Sequence, residues 1–327
     1  MKLRTVLFAG LSLVAAAGPS FAEGYPEKGR PVKIVVPFGA ASSTDLLARS
    51  IAQGISEISG QPVFVENRAG AEGVIGMVSA KAASPDGYTL IMTTSSTQIL
   101  NPYLLPQISY DPVADFTPVT GIAKFSLVMN AGPGVKQKTA EAFIQAARSE
   151  PGKFSFGSGT TTTRLAGELL QYAAGIQMLS VPYKSMAEAM TGLAAGQVDL
   201  VITDLPSSSA HYKSGRVRPL AVTGPARMKA RPDLPTLQEA GVRGYEMTGW
   251  WAAYFPAKTP APIVQAMRDL IHKASETPVV KQAFATFSLE PLFGTEQELA
   301  ALQRNDLERW GKLVREAKLG PASTVKE

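Results

Sequence analysis

Two short stretches of small and hydroxyl-bearing residues hold most of the side chains that could do chemistry. The first runs Phe38-Gly39-Ala40-Ala41-Ser42-Ser43-Thr44-Asp45. The second runs Gly157-Ser158-Gly159-Thr160-Thr161-Thr162-Thr163, with Arg164 directly after it. Small residues let other groups approach the backbone closely. Each stretch follows a strand-like run and opens a helical pattern; after the first, Leu46, Leu47, Ile51 and Ile55 recur at helical spacing. A helix start carries unpaired N–H groups and a partial positive charge, a setting that suits a carboxylate. An ordinary strand-to-helix turn with Ser or Thr as N-cap uses the same residues, and on residue types alone both readings stand.

Three charged residues stand at strand-to-helix turns: Asp45 ends the first loop, Arg164 follows the second, and Asp204 ends a later strand-like run. Asp45 and Asp204, taken as a pair, could be a general acid and base. Taken singly, Asp45 orients its loop by accepting backbone N–H bonds, and Asp204 does the same or accepts from a ligand hydroxyl. Arg164 reads equally as a carboxylate clamp or a solvated surface charge. Two tempting motifs fail. Gly70, Gly73 and Gly76 are spaced GxxGxxG, not GxGxxG, and no acidic residue ends the next strand at the distance a dinucleotide site needs. Gly157-Ser158-Gly159 lacks the GxSxG nucleophile elbow, and neither His211 nor His272 is placed as its base.

The elements around these loops follow from periodicity. Ile34-Val35-Val36 is a β-branched run of the kind buried in a parallel sheet. With a helix to Gly60, a strand at 62–66, a helix through Ala83 and a strand at 88–93, it predicts β-α-β-α-β and an open parallel sheet. Ligands of such sheets bind beyond the carboxyl ends of strands, where the loops at 37–45 and 94–101 lie, the latter holding Ser95, Ser96 and Thr97. Phe116 to Asn130 reads as a strand pair, PVTGIA and FSLVMN. From Thr139 a second α/β unit repeats the first, with Tyr183 and Asp204 after its later strands. Residues 225–244 form a Pro-rich connector, Trp250 to Phe255 an aromatic strand, and Thr259-Pro260, Thr277-Pro278 and the Thr295/Glu298 capping box open the last helices.

Composition narrows the function classes. The chain has 327 residues, 45% hydrophobic and 18% charged, which accommodates two globular domains. Lys2, Arg4, an apolar run and Ser20-Phe21-Ala22 read as a secretory signal over residues 1–22, whose removal lowers the net charge from +5 to +3. Scattered Lys and Arg are no nucleic-acid signature. No cysteine and two histidines exclude an Fe–S cluster and argue against a zinc site, so no metal or cofactor is expected.

In order, IVVPFGAASSTDLLAR, PVFVENRAGAEGVIG, SPDGYTLIM, YDPVADFTPV, RLAGELL, VPYKSMAEAM, GQVDL, LAVTG and LPTLQEAG resemble the periplasmic substrate-binding receptors of tripartite tricarboxylate transporters, the Bug family. The likeness covers nearly the whole chain after residue 25. It implies an α/β, type II periplasmic-binding fold: two doubly wound domains around a cleft, 23–123 plus 250–327 and 124–249, joined by hinge strands near Gly121–Ser126 and Gly249–Trp251. It implies a periplasmic, monomeric, non-catalytic receptor for a small organic carboxylate, a dicarboxylate or aromatic one among the options. Its partner would be a membrane permease; signalling to a membrane sensor fits equally. An exported enzyme using Asp45 and Asp204 is the alternative. By the family's motifs, one ligand carboxylate meets residues 38–45, and Ser95, Ser96, Thr97, Ser158, Thr160, Thr161, Thr162, Arg164, Tyr183 and Asp204 complete the cleft. GAASSTD departs from the common glycine-richer PPGGGTD, the 157–163 loop is about two residues short, and Arg164 stands where His is frequent.

Overall fold

The computed structural model describes residues 25–319; the expected signal segment lies outside them. In chain order the first elements are β1 (Val32–Val36), α1 (Ser43–Ser59), β2 (Val63–Asn67), α2 (Val74–Lys81), β3 (Thr89–Thr94) and α3 (Asn101–Leu104). β4 (Phe116–Ala131), α4 (Ala140–Ser149), β5 (Ser155–Ser158), α5 (Thr161–Ala174), β6 (Leu179–Pro182), α6 (Met186–Ala195), β7 (Leu200–Asp204), α7 (Leu205–Tyr212) and β8 (Arg218–Val222) follow. β9 (Thr248–Pro256), α8 (Ala261–Ser275), α9 (Pro278–Phe287), β10 (Glu290–Pro291) and α10 (Glu296–Glu316) end the series.

One sheet runs through the molecule in the order β2-β1-β3-β9-β4-β7-β5-β6. β1 pairs in parallel with β2 and β3, and β5 in parallel with β6 and β7, as the β-α-β reading requires. β9 is antiparallel to both β3 and β4, so β4 runs in the same direction as β1 and β3. From Leu127 onward β4 is antiparallel to β7 instead. The carboxyl edges of the two half-sheets therefore face each other where β4 changes partners, at Ser126–Leu127. The chain returns at Met247, whose N–H donates to the Thr223 carbonyl, before Thr248 pairs with Ser126.

Both faces of the first half-sheet are covered. Val32, Ile34 and Val36 pack against Leu47 and Ile51 of α1 and Met267 and Ile271 of α8, while Val35 faces the opposite cluster with Met77 and Ile91. Alternate residues of a strand point to opposite faces, so a run that is apolar throughout fits this double cover.

Three sequence expectations are corrected. The pair expected over Phe116–Asn130 is one 16-residue strand: Ala123, Lys124 and Phe125, where PVTGIA gives way to FSLVMN, pair in unbroken register with Trp251, Trp250 and Gly249 of β9. The polar loop expected at 94–101 is a π-helical turn, Ser96–Leu100, running into α3. Its polar groups find partners inside the protein: Thr97 shares a 2.6 Å hydroxyl hydrogen bond with Thr93, and its carbonyl accepts from the Tyr110 hydroxyl. Thr259 does not cap α8, because its hydroxyl donates to the Pro256 carbonyl and Pro260 takes the N-cap position.

Candidate functional site

The first loop is built around Asp45. Ser42 caps α1, accepting from the Asp45 N–H, and Asp45 reaches back so that its Oδ2 accepts the Ala41 N–H at 2.8 Å. Ala41 is held in the left-handed region, at φ 62°. Asn67 donates from Nδ2 to Asp45 Oδ1 and to the Phe38 carbonyl, and Arg49 pairs with the carboxylate at 3.0 Å. Burial alone would raise the Asp45 carboxyl; Arg49, the Ala41 amide and Asn67 outweigh it and hold it below its ordinary range. Ser43 and Thr44 open α1 and are buried. Their amides have no carbonyl one turn back. The Thr44 hydroxyl accepts from Trp251 Nε1 at 2.9 Å, tying the helix start to β9.

The glycines after β2 serve close packing. A Cβ at Gly76 would fall 2.5 Å from Pro37 Cα, so this glycine lets α2 press against the end of β1.

The second loop is built around Thr160. Its hydroxyl accepts the Thr163 N–H, and the Thr163 hydroxyl accepts the Thr160 N–H, a reciprocal cap on α5. Thr161 and Thr162 open the helix and are buried, as is Ser158 at the end of β5. Thr161 meets the first half-sheet: it shares a 2.5 Å hydrogen bond with Ser96 and donates to Asn101 Oδ1 at 2.8 Å. Ser95 Oγ accepts the Trp250 N–H. Asp204 caps α7, accepting the Ser207 N–H, and its other oxygen accepts from Ser43 Oγ at 3.0 Å. Burial raises the Asp204 carboxyl against the pull of those two donors.

Residues 38–45, 95–97, 158–162 and Asp204 are thus gathered between the facing edges. Two expected residues behave differently. Arg164 is neither a free clamp nor a surface charge: it donates to the Leu104 carbonyl at 2.8 Å and lies 3.7 Å from Glu168. Tyr183 turns away; its ring runs along α6 and its hydroxyl reaches Gln197, lining a surface hollow with Glu188 and Thr191. Sequence reasoning missed Glu72 and Asn101. Asn101 is fully buried; its one signal in the sequence is its place among the apolar Ile99, Leu100, Pro102 and Leu104. Among the described residues no cluster of His, Asp and Glu is placed to hold a metal ion, and no helix is long and apolar enough to cross a membrane.

Two half-sheets with facing carboxyl edges, joined by strands that cross between them, define a protein of the periplasmic-binding class. The family profile described as "Tripartite tricarboxylate transporter family receptor" matches residues 47–319, and the chain belongs to that family. It is 31% identical to Protein BugT of Bordetella pertussis over 96% of this chain and 97% of that protein. Among solved structures, "R. palustris Rpa4515 with adipate" is 32% identical with a TM-score of 0.85, covering 90% of this chain and 98% of the other. "MatC (Rpa3494) from Rhodopseudomonas palustris with bound malate" is 26% identical with a TM-score of 0.81, covering 89% and 100%.

Proposed function

We propose that this chain is a periplasmic receptor that binds a small organic carboxylate between residues 38–45 and 158–163 and delivers it, unchanged, to the membrane permease of a tripartite transporter. The observation that carries this is the α1 start: a buried helix N-terminus whose own acid, Asp45, is consumed in shaping the loop. Relatives whose solved structures hold adipate and malate support the same ligand class. A helix terminus contributes roughly 0.3–1 kcal/mol to a nearby anion, up to ~2 when partly buried. Several hydrogen bonds to a charged ligand at about 1.5–3 kcal/mol each bring the sum to about 8 kcal/mol, the micromolar range. The enzyme alternative finds little support in Asp45, whose oxygens are taken by Ala41, Asn67 and Arg49.

The domains in this reading are 23–123 plus 250–327 and 124–249, with the chain acting as a monomer and closing on its ligand about the two crossings. Thermal unfolding against a panel of mono-, di-, tri- and aromatic carboxylates tests it. A true ligand at 100 times its dissociation constant should add about 2.7 kcal/mol of stability. A panel that leaves the transition unmoved, or a carboxylate chemically altered on incubation, overturns it.

A further inference from the structure

The turn Gly70–Gly73 brings an acid, Glu72, beside the start of α5. Ala71 and Glu72 are consecutive non-glycine residues in the left-handed region, at φ 46° and 55°, a conformation L side chains avoid. The turn is held there by Asn101, whose Nδ2 donates to the Glu72 carbonyl at 3.0 Å. Asn101 is the same residue that accepts from Thr161 across the cleft. So fixed, Glu72 is one side chain away from Thr161 at the start of α5, because Asn101 holds both; burial raises the Glu72 carboxyl, and the Arg164 guanidinium and the Thr161 amide oppose that rise. Its Oε2 is buried without a partner, and so are Glu168 Oε2, Arg164 Nε and the Thr162 hydroxyl. Glu168 lies 3.7 Å from Arg164 Nε, and Glu72 feels the same charge from further off.

We propose that Glu72 is a specificity-determining residue: a built-in carboxylate that fills the α5 side of the cleft, so that the receptor accepts solutes with one carboxylate, seated at α1, and rejects dicarboxylates. The proposal rests on the carboxylate-receptor reading above. A solute's second carboxylate at α5 would face Glu72 and Glu168 with only Arg164 to balance all three. A neutral tail meets no such repulsion, and the unpartnered Thr162 hydroxyl suits a neutral polar group at its end.

Calorimetry with matched pairs of linear mono- and dicarboxylates of four to eight carbons, such as hexanoate and adipate, tests this. The wild-type protein should bind the monocarboxylate of the best pair at least ten-fold tighter. Glu72→Gln, which removes the charge at nearly constant shape, should move the ratio toward the dicarboxylate by ten-fold or more. Glu72→Gly, which also relieves the left-handed backbone, should move it the same way and guards against a folding defect in the first variant. A wild-type protein that favours dicarboxylates, or a ratio unchanged in both folded variants, overturns the role of Glu72 while leaving the receptor reading intact. If no member of any pair, nor any other carboxylate, binds, both readings fall.

Discussion

The starts of α1 and α5 follow one recipe and reach opposite electrostatic ends. Each is a strand, a short hydroxyl-rich loop and a side-chain-capped helix. At α1 the acid lies inside the loop: Asp45 is spent on Ala41, Asn67 and Arg49, and its charge is answered by Arg49. At α5 the cap is a neutral pair of threonines, and the acids come from outside it, Glu72 from the opposite half-sheet and Glu168 one turn past Arg164, both raised by burial. A helix terminus thus signals a suitable place for an anion, and the neighbouring residues decide whether a guest or the protein itself supplies it.

The largest expected effect would break this comparison at α1. Asp45→Ala removes the group that holds the Ala41 N–H, so the loop loosens and carboxylate affinity falls at least ten-fold, about 1.4 kcal/mol, with the fold retained. Isothermal titration giving equal affinities for variant and wild type would remove Asp45 from the site.

A second effect separates Asp45 from Asp204 by pH. The Asp45 carboxyl is held low in the folded protein, so its stabilisation is present above the ordinary aspartate range and is lost as pH falls through its folded pKa. The Asp204 carboxyl is raised by burial, so stability is greatest below the ordinary value and declines as pH rises through the folded pKa. Each proton can contribute a slope of at most about 1.4 kcal/mol per pH unit. Urea unfolding between about pH 3 and 7 should therefore show Asp45→Asn losing the acid-side drop and Asp204→Asn losing the decline. Variant curves parallel to the wild type would refute both assignments.

The smallest effect concerns the strand that backs α1. Thr44→Val leaves Trp251 Nε1 buried without its acceptor, which should cost about 1–3 kcal/mol before relaxation and nearer 1 kcal/mol after it. Trp251 packs on Phe125 with ring centroids 4.1 Å apart, beside the point where β4 changes partners. Its emission should therefore respond to ligand in the wild type and respond less in the variant. Identical fluorescence responses would detach Trp251 from the binding loop.

Local chemistry made much of this legible. The buried Ile34-Val35-Val36 run and the Thr295/Glu298 capping box are where periodicity and capping residues put them. The loops at 38–45, 95–97 and 158–162 lie together because parallel strands leave their carboxyl ends on one edge. What escaped depended on tertiary partners. The 94–101 segment looks polar, yet is buried because Thr93, Tyr110 and Thr161 answer its hydroxyls and amides. Tyr183 turns to α6 because a Cβ-less Gly192 leaves room for its ring. Glu72 lies in a glycine-rich turn whose sequence says flexible, whereas Asn101, distant in the chain, pins it.

The place of β9 has a consequence for how the chain acquires its structure. It lies between β3 and β4, bonded to both, although more than a hundred residues separate it from either in sequence. The second half-sheet is contiguous in sequence between β4 and β9, whereas the first stays split until β9 inserts and α8 covers it. Closing such long loops is slow, and open strand edges wait exposed meanwhile. For a chain that emerges amino end first, β3 and β4 are sticky edges until the last quarter arrives. Its vulnerable period is therefore the interval before Trp250 and Trp251 find their places.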